Sequence, residues 1–160
     1  MNLEIKKYPD PVLRRKCQKV KVFDDQLKNL CLEMFETMET NKGLGLAAPQ
    51  IGENLDFFII DFNGKKLIFI NPEIITKQGE EVFEEGCLSF PGLFIKIKRP
   101  KKIGLKFQSI NGQNQYLEID GLLARVIQHE YDHLEGILFI DHVSWYKRFS
   151  LKKKLNKKRV

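Results

Sequence analysis

His129-Glu130-Tyr131-Asp132-His133 sets two histidines four residues apart, with a glutamate next to the first. On a helix, residues four apart project from one face, so the two imidazoles can grip one metal ion. Glu130 leans to the side of that face, where a carboxylate can handle the protons of a water held there. The segment uses two of the chain's three histidines. Its chemistry is metal-dependent hydrolysis.

Two imidazoles rarely suffice. Catalytic sites of this kind commonly use three protein ligands and leave a fourth position open. The remaining histidine, His142, lies beyond Gly136 in a new segment and reads as a surface or core residue. Glu135 is on the wrong face of the helix. Cys87 stands in Glu85-Gly86-Cys87-Leu88-Ser89, between a strand and a Pro91-Gly92 turn. A single cysteine is usually a small buried hydrophobe. Beside H-E-x-x-H, a thiolate ligand is the better reading.

The elements that must position these groups follow from periodicity. Asp24 reads as an N-cap, and Leu27, Leu30, Cys31, Met34, Phe35 and Met38 then recur at helical spacing until about residues 41–43. Cys31 sits on that apolar stripe as a core residue. A glycine-rich stretch occupies 43–50. Strands are predicted at 55–62 and 66–71, joined at Asn63-Gly64, and further strands at 74–77 and 81–84. Residues 101–110 and 115–119 flank a second hairpin signal, Asn111-Gly112. Asp120 then caps a helix that runs to about 135 and stops at Gly136. There is no βαβ alternation. The fold class is α+β: a strand-rich centre with antiparallel hairpins, packed on a central C-terminal helix carrying H-E-x-x-H, plus an N-terminal helix.

A wheel at roughly 100° per residue divides that last helix. Leu122, Val126, His129 and His133 share one sector, so Leu122 and Val126 can line an apolar pocket beside the metal. Leu123, Ile127, Tyr131 and Leu134 form a second sector. Arg125, Gln128, Asp132 and Glu135 lie on the polar side. Asp132 points away from the ligands, as a solvated group or a support rather than a ligand.

The length suits one catalytic domain, residues 1–146, followed by a basic tail, 147–160. The N-terminus has no apolar run, and no apolar stretch approaches the ~20 residues that span a bilayer. Three cysteines are too few and too odd for a disulfide framework. These features predict a cytoplasmic protein with no membrane partner, and DNA is not expected as a partner either. The net charge of +6 is concentrated at one end. The tail holds eight of the 27 basic residues and no acid; the rest has 19 basic against 21 acidic, a net −2. Either the tail is a solvated end, or it meets a polyanion such as RNA.

Three segments, 43–50 (GLGLAAPQ), 85–89 (EGCLS) and 128–134 (QHEYDHL), resemble in order and spacing those of the peptide deformylases. The opening Tyr8-Pro9-Asp10-Pro11-Val12-Leu13-Arg14 is similar to that family as well, and the likeness covers about residues 4–145. The resemblance implies a metal-dependent hydrolase of protein biosynthesis. It would remove the formyl group from the N-terminal formylmethionine of nascent polypeptides and release formate. It implies that Cys87, His129 and His133 bind one divalent ion, iron(II) in the cell, with zinc, nickel or cobalt able to take the place. Glu130 would be the proton shuttle. Gln50 and the Leu88 N–H would hold the oxyanion. Gly45 would allow close approach of an extended substrate backbone. Leu44 and Phe83 would join Leu122 and Val126 around the methionine side chain. Glu85, with Arg99, would orient a ligand histidine. One departure stands out: where many bacterial members carry an arginine after the cysteine segment, this chain has Gly92-Leu93-Phe94.

Two other functions compete. One is a zincin-type metalloendopeptidase, although nothing suitable as a third ligand follows His133. The other is a basic ribosome- or RNA-binding protein with a vestigial metal site, although no proposed catalytic group is missing. The substrate class also suggests that the tail 147–160 docks on the ribosome, where new chains emerge.

Overall fold

The computed structural model describes residues 2–158. The first helix, α1 (Asp25–Thr40), starts where Asp24 accepts the Leu27 N–H at 3.0 Å. Such a cap is worth about 1 kcal/mol. Its stripe of Leu27, Cys31, Met34, Phe35 and Met38 is buried. Five strands form one antiparallel sheet: β1 (Gly45–Ala47), β2 (Phe57–Phe62), β3 (Lys65–Gln78), β6 (Lys102–Gln108) and β7 (Asn114–Asp120), in that order. The remaining two, β4 (Glu81–Cys87) and β5 (Phe90–Arg99), pair only with each other as a separate ribbon. The second long helix is α2 (Gly121–Leu134), and α3 (Trp145–Lys158) closes the chain.

The strand period of two explains the layering. Phe57 and Ile59 of β2 pack with α1, whereas Phe58 and Ile60 pack with Ala124, Ile127 and Leu134 of α2. The sheet is therefore sandwiched between the two helices. A third cluster joins the ribbon (Phe90, Ile95, Ile97) to Leu13 and to Leu138, Phe139 and Ile140. The helix carrying the histidines thus lies between the five-stranded sheet and the elements around the ribbon.

The architecture is the expected α+β one, with local differences. The strands predicted at 66–71 and 74–77 are one bent strand, β3. Its pairing with β6 is irregular between Ile70 and Glu73, and Asn71 sits there at φ 50°. Asn71 is held by hydrogen bonds with both backbone groups of Val20 and with Gln108. β1 arises within the glycine-rich stretch. β5 has no counterpart among the expected strands, because Pro91-Gly92 reads as a turn; both residues lie inside β5. Beyond them Ile95, Ile97 and Arg99 are buried while Lys96 and Lys98 are exposed, the alternation of a half-buried strand. At α2, Asp120 occupies the N-cap position, but its side chain accepts no capping hydrogen bond.

Gly136 ends α2 at φ 75°, and a β-carbon there would lie 2.5 Å from the Arg14 carbonyl oxygen. Backbone cannot yield as a flexible side chain can. Gly136→Ala is therefore expected to cost about 1–3 kcal/mol, read as a lower urea midpoint at unchanged slope. An unchanged midpoint would show that the chain relaxes around Arg14.

Candidate active site

The site forms where β4 ends against α2. Cys87, the last residue of β4, and His129 and His133 bring one sulfur and two nitrogens within 4.8 Å of one another. Cys87 Sγ is 3.4 Å from His133 Nε2. Among the described residues this is the one group of three such donors close enough to hold an ion. One thiolate and two imidazoles suit a first-row transition metal. Separations of this size also suit ligands ~2.0–2.3 Å from a common centre.

The donors are oriented from behind. Glu85 Oε1 accepts from His129 Nδ1 at 2.9 Å, which leaves Nε2 for the site. Arg99 clasps the same carboxylate, Nε to Oε2 at 2.6 Å and Nη2 to Oε1 at 2.9 Å. Arg125 Nη1 donates to Oε2 at 2.6 Å. Burial works against an ionised Glu85, yet the hydrogen bonds from His129 and Arg99 and the Arg99 charge outweigh it and set its pKa at about 2. Arg99 also donates to Asp132 Oδ2 at 2.9 Å, and His142 Nε2 lies 2.7 Å from that oxygen. Asp132 is thus a supporting group, and His142 is tied to it.

His129 is surrounded by negative groups. Burial disfavours its charged form, but Cys87, Glu85 and Glu130 hold its pKa well above the usual value. Burial and the His129 charge push His133 the other way, well below its usual value. Surroundings that favour positive charge at His129, beside the Cys87 sulfur and the His133 ring, fit a bound cation.

Glu130 is buried, and its Oε2 has no hydrogen-bond partner. Burial drives its pKa up to about 7, only partly countered by the His129 charge. A bound divalent cation would pull it down again. A β-carbon on Gly45 would lie 2.8 Å from Glu130 Oε1. Glycine at 45 thus leaves room for this carboxylate.

Gln50 lies in the 3-10 turn Ala48–Ile51 and is 1% exposed. Its Oε1 accepts from the Ala47 N–H at 2.9 Å, which turns Nε2 toward Cys87 Sγ (3.6 Å) and Ser89 Oγ (3.1 Å). Ser89 Oγ donates in turn to the Lys6 carbonyl. Leu88 follows Cys87 in the turn into β5, its side chain packed on the first cluster. Leu44, Phe83 and Leu122 are each about half-exposed, whereas Val126 packs against the second cluster.

Two residues of this network were not singled out for a role by the sequence. Arg125 and Gln128, on the polar side of the wheel, are buried at 6% and 4% exposure. Arg125 binds Glu85, and Gln128 donates to the Pro100 carbonyl at 2.9 Å. The one available signal was an arginine a single turn before His129, on the same side of the helix as Gln128 and Asp132.

Such a constellation defines a class: a hydrolase built around one Cys–His–His group able to hold a metal ion. Residues 2–149 match the family model described as polypeptide deformylase. The peptide deformylase of Dictyoglomus turgidum is 49% identical over 88% of this chain and 92% of its own length. The crystal structure of peptide deformylase from Thermotoga maritima superposes with a TM-score of 0.88 at 45% identity, covering 90% of this chain and 99% of that one. A peptide deformylase from Legionella pneumophila reaches 0.93 at 40% identity, covering 99% and 96%. This chain belongs to the polypeptide deformylase family. It is a metal-dependent hydrolase that removes the N-formyl group from nascent polypeptides. Neither the endopeptidase nor the vestigial RNA-binding reading finds support.

Gly45→Ala sets a new methyl group against the end of a flexible side chain, so the fold has room to adjust but Glu130 does not keep its place. Turnover is expected to fall on the order of 10²-fold, with metal content and unfolding midpoint near the parent's. Parental turnover would show that Glu130 tolerates the displacement.

Proposed function

We propose that deformylation here runs on Cys87, His129 and His133 as metal ligands, Glu130 as proton shuttle, and Gln50 with the Leu88 N–H as oxyanion donors. The observation that carries this reading is the Cys87–His129–His133 group beside a buried carboxylate with one oxygen free. The ion, when bound, supplies a polarised water and a Lewis acid for the formyl oxygen. Glu130 takes the proton of the attacking water and hands it to the departing α-amine, so one carboxylate serves as base and then acid. Gln50 Nε2 is aimed by the Ala47 N–H, so it is preorganised for the developing negative charge; one such donor is worth ~3 kcal/mol. Gly45 lies on β1, an edge strand, where an extended substrate backbone can add as a further strand. Leu44, Phe83 and Leu122, half-exposed, would meet the methionine side chain with Val126.

Intrinsic affinity does not select iron, so availability decides; iron(II) is proposed as the cellular ion, with zinc, nickel or cobalt able to replace it. The cytoplasm, where formylated chains are made, is proposed as its place of action. Among the described residues no helix is long and apolar enough to cross a membrane.

Purified without oxygen, the protein is expected to carry about one iron(II) and to release formate from a formyl-Met peptide. Cys87→Ala is expected to lose the metal, and Glu130→Gln to keep it while losing nearly all turnover. Stoichiometric metal in Cys87→Ala removes the thiolate from the ligand set. Turnover of Glu130→Gln within a few-fold of the parent removes Glu130 as the shuttle.

The basic tail, residues 147–160, is proposed to dock on ribosomal RNA. Most of it forms α3; Arg159 and Val160 lie outside the described residues. Leu151 and Leu155 pack on the third cluster, while Lys147, Lys153, Lys154 and Lys157 are exposed. Charge is therefore what to remove. Replacing these four lysines with glutamate is expected to abolish co-sedimentation with ribosomes at low salt and to leave turnover of a short peptide unchanged. Parental binding should itself weaken steeply with salt. Equal sedimentation of both proteins would make the tail a solvated end.

A further inference from the structure

The metal group straddles two bodies. His129 and His133 stand on α2, which packs on the five-stranded sheet, while Cys87 ends a ribbon that shares no strand pairing with that sheet. No backbone register therefore sets the distance between the sulfur and the imidazoles. Side chains must do so.

Arg125 spans that gap. It lies on α2 one turn before His129, and its buried guanidinium meets three acceptors on the ribbon. Nη1 donates to the Glu85 carboxylate at 2.6 Å and to the Ile97 carbonyl at 2.9 Å, and Nη2 donates to the Glu81 carbonyl at 2.6 Å. Glu81 and Glu85 belong to β4 and Ile97 to β5, so both strands are fastened to the helix. The Phe83 ring, 5.9 Å from the guanidinium carbon, flanks it. Arg99 makes a second tie in the reverse sense, from β5 to Asp132 on α2. Only a planar fork with several fixed donors can serve three acceptors at once; an ammonium in its place could not reproduce the geometry.

We infer that Arg125 is a positioning residue for the metal: it fixes the Cys87-bearing ribbon to the histidine-bearing helix and, through Glu85, holds His129 in its ligating orientation. The inference rests on the assignment of Cys87, His129 and His133 as ligands. Its consequence is retention of the ion. Without the guanidinium the three ligands remain, but the sulfur and the imidazoles no longer share one rigid frame, and supporting contacts of this kind are worth ten- to hundredfold in metal affinity.

The test uses the full-length protein loaded with cobalt(II) and challenged with excess chelator. Arg125→Met is expected to release cobalt about ten- to hundredfold faster than the parent and to shift the thiolate-to-cobalt absorption. Arg125→Lys is expected to fall between the two; it keeps a cation against Glu85 and is the variant to read if Arg125→Met does not fold. In a Glu85→Gln background, Arg125→Met should add less than its full effect, because the contact that reaches His129 runs through Glu85 while those to the Glu81 and Ile97 carbonyls do not. Parental release with an unshifted spectrum, whatever the unfolding midpoint, would overturn the inference. So would a full multiplicative effect in the Glu85→Gln background. Cys87→Ala separates the two levels: if it keeps cobalt, the ligand assignment has failed; if it loses cobalt while the Arg125 variants hold theirs, only the role of Arg125 has.

Discussion

One carboxylate, Glu85, stands at the centre of this structure. It is buried beside two buried guanidiniums and the His129 imidazole, and its two oxygens accept from all three. Taking three or four charged groups out of water is expensive, and Coulomb attraction offsets the penalty only if the geometry is complete. An incomplete arrangement costs on the order of 3–5 kcal/mol for a missing partner. The same condition aims His129 and fastens α2 against the ribbon. Function and stability therefore share one set of contacts.

The layering around α2 gives that network its dry surroundings. One side of the helix meets the sheet through Ala124, Ile127 and Leu134, and the side that carries Arg125, Gln128 and Asp132 meets the ribbon and the backbone that leaves it. A helix buried on both sides is usually apolar all round. Here the second side is polar because it holds charge against charge. The same exclusion of water reaches Gln50, 1% exposed, whose amide is held by the Ala47 N–H.

The chemistry was legible in the sequence further than the geometry. H-E-x-x-H and a cysteine in the right company pointed to the three donors, because ligand type and helical spacing are local properties. Both Asn-Gly hairpins and the Asp24 cap were legible for the same reason. The burial of Arg125 was not, since a wheel shows which residues share a face but not what lies across from it. The β5 strand was hidden by Pro91-Gly92, whose local preference for a turn is overridden by pairing of Gly86 with Phe94 and of Cys87 with Phe90. The expected break after Asn71 failed in the same way. Its backbone is left-handed, yet three hydrogen bonds to distant groups hold it and β3 continues.

The three cysteines differ in a way that reaches beyond catalysis. Burial pushes Cys17 and Cys31 up to about 12, Cys17 with further help from Asp56, so neither offers a thiolate at neutral pH. Cys87 is only partly buried and lies in the site itself. An electrophile that seeks thiolates finds two of the three silent at neutral pH, and under the proposed ligand set a bound metal would cover the third. With that ligand set the chain would carry its own gauge of occupancy: the fraction of molecules that an alkylating reagent labels would count the empty sites.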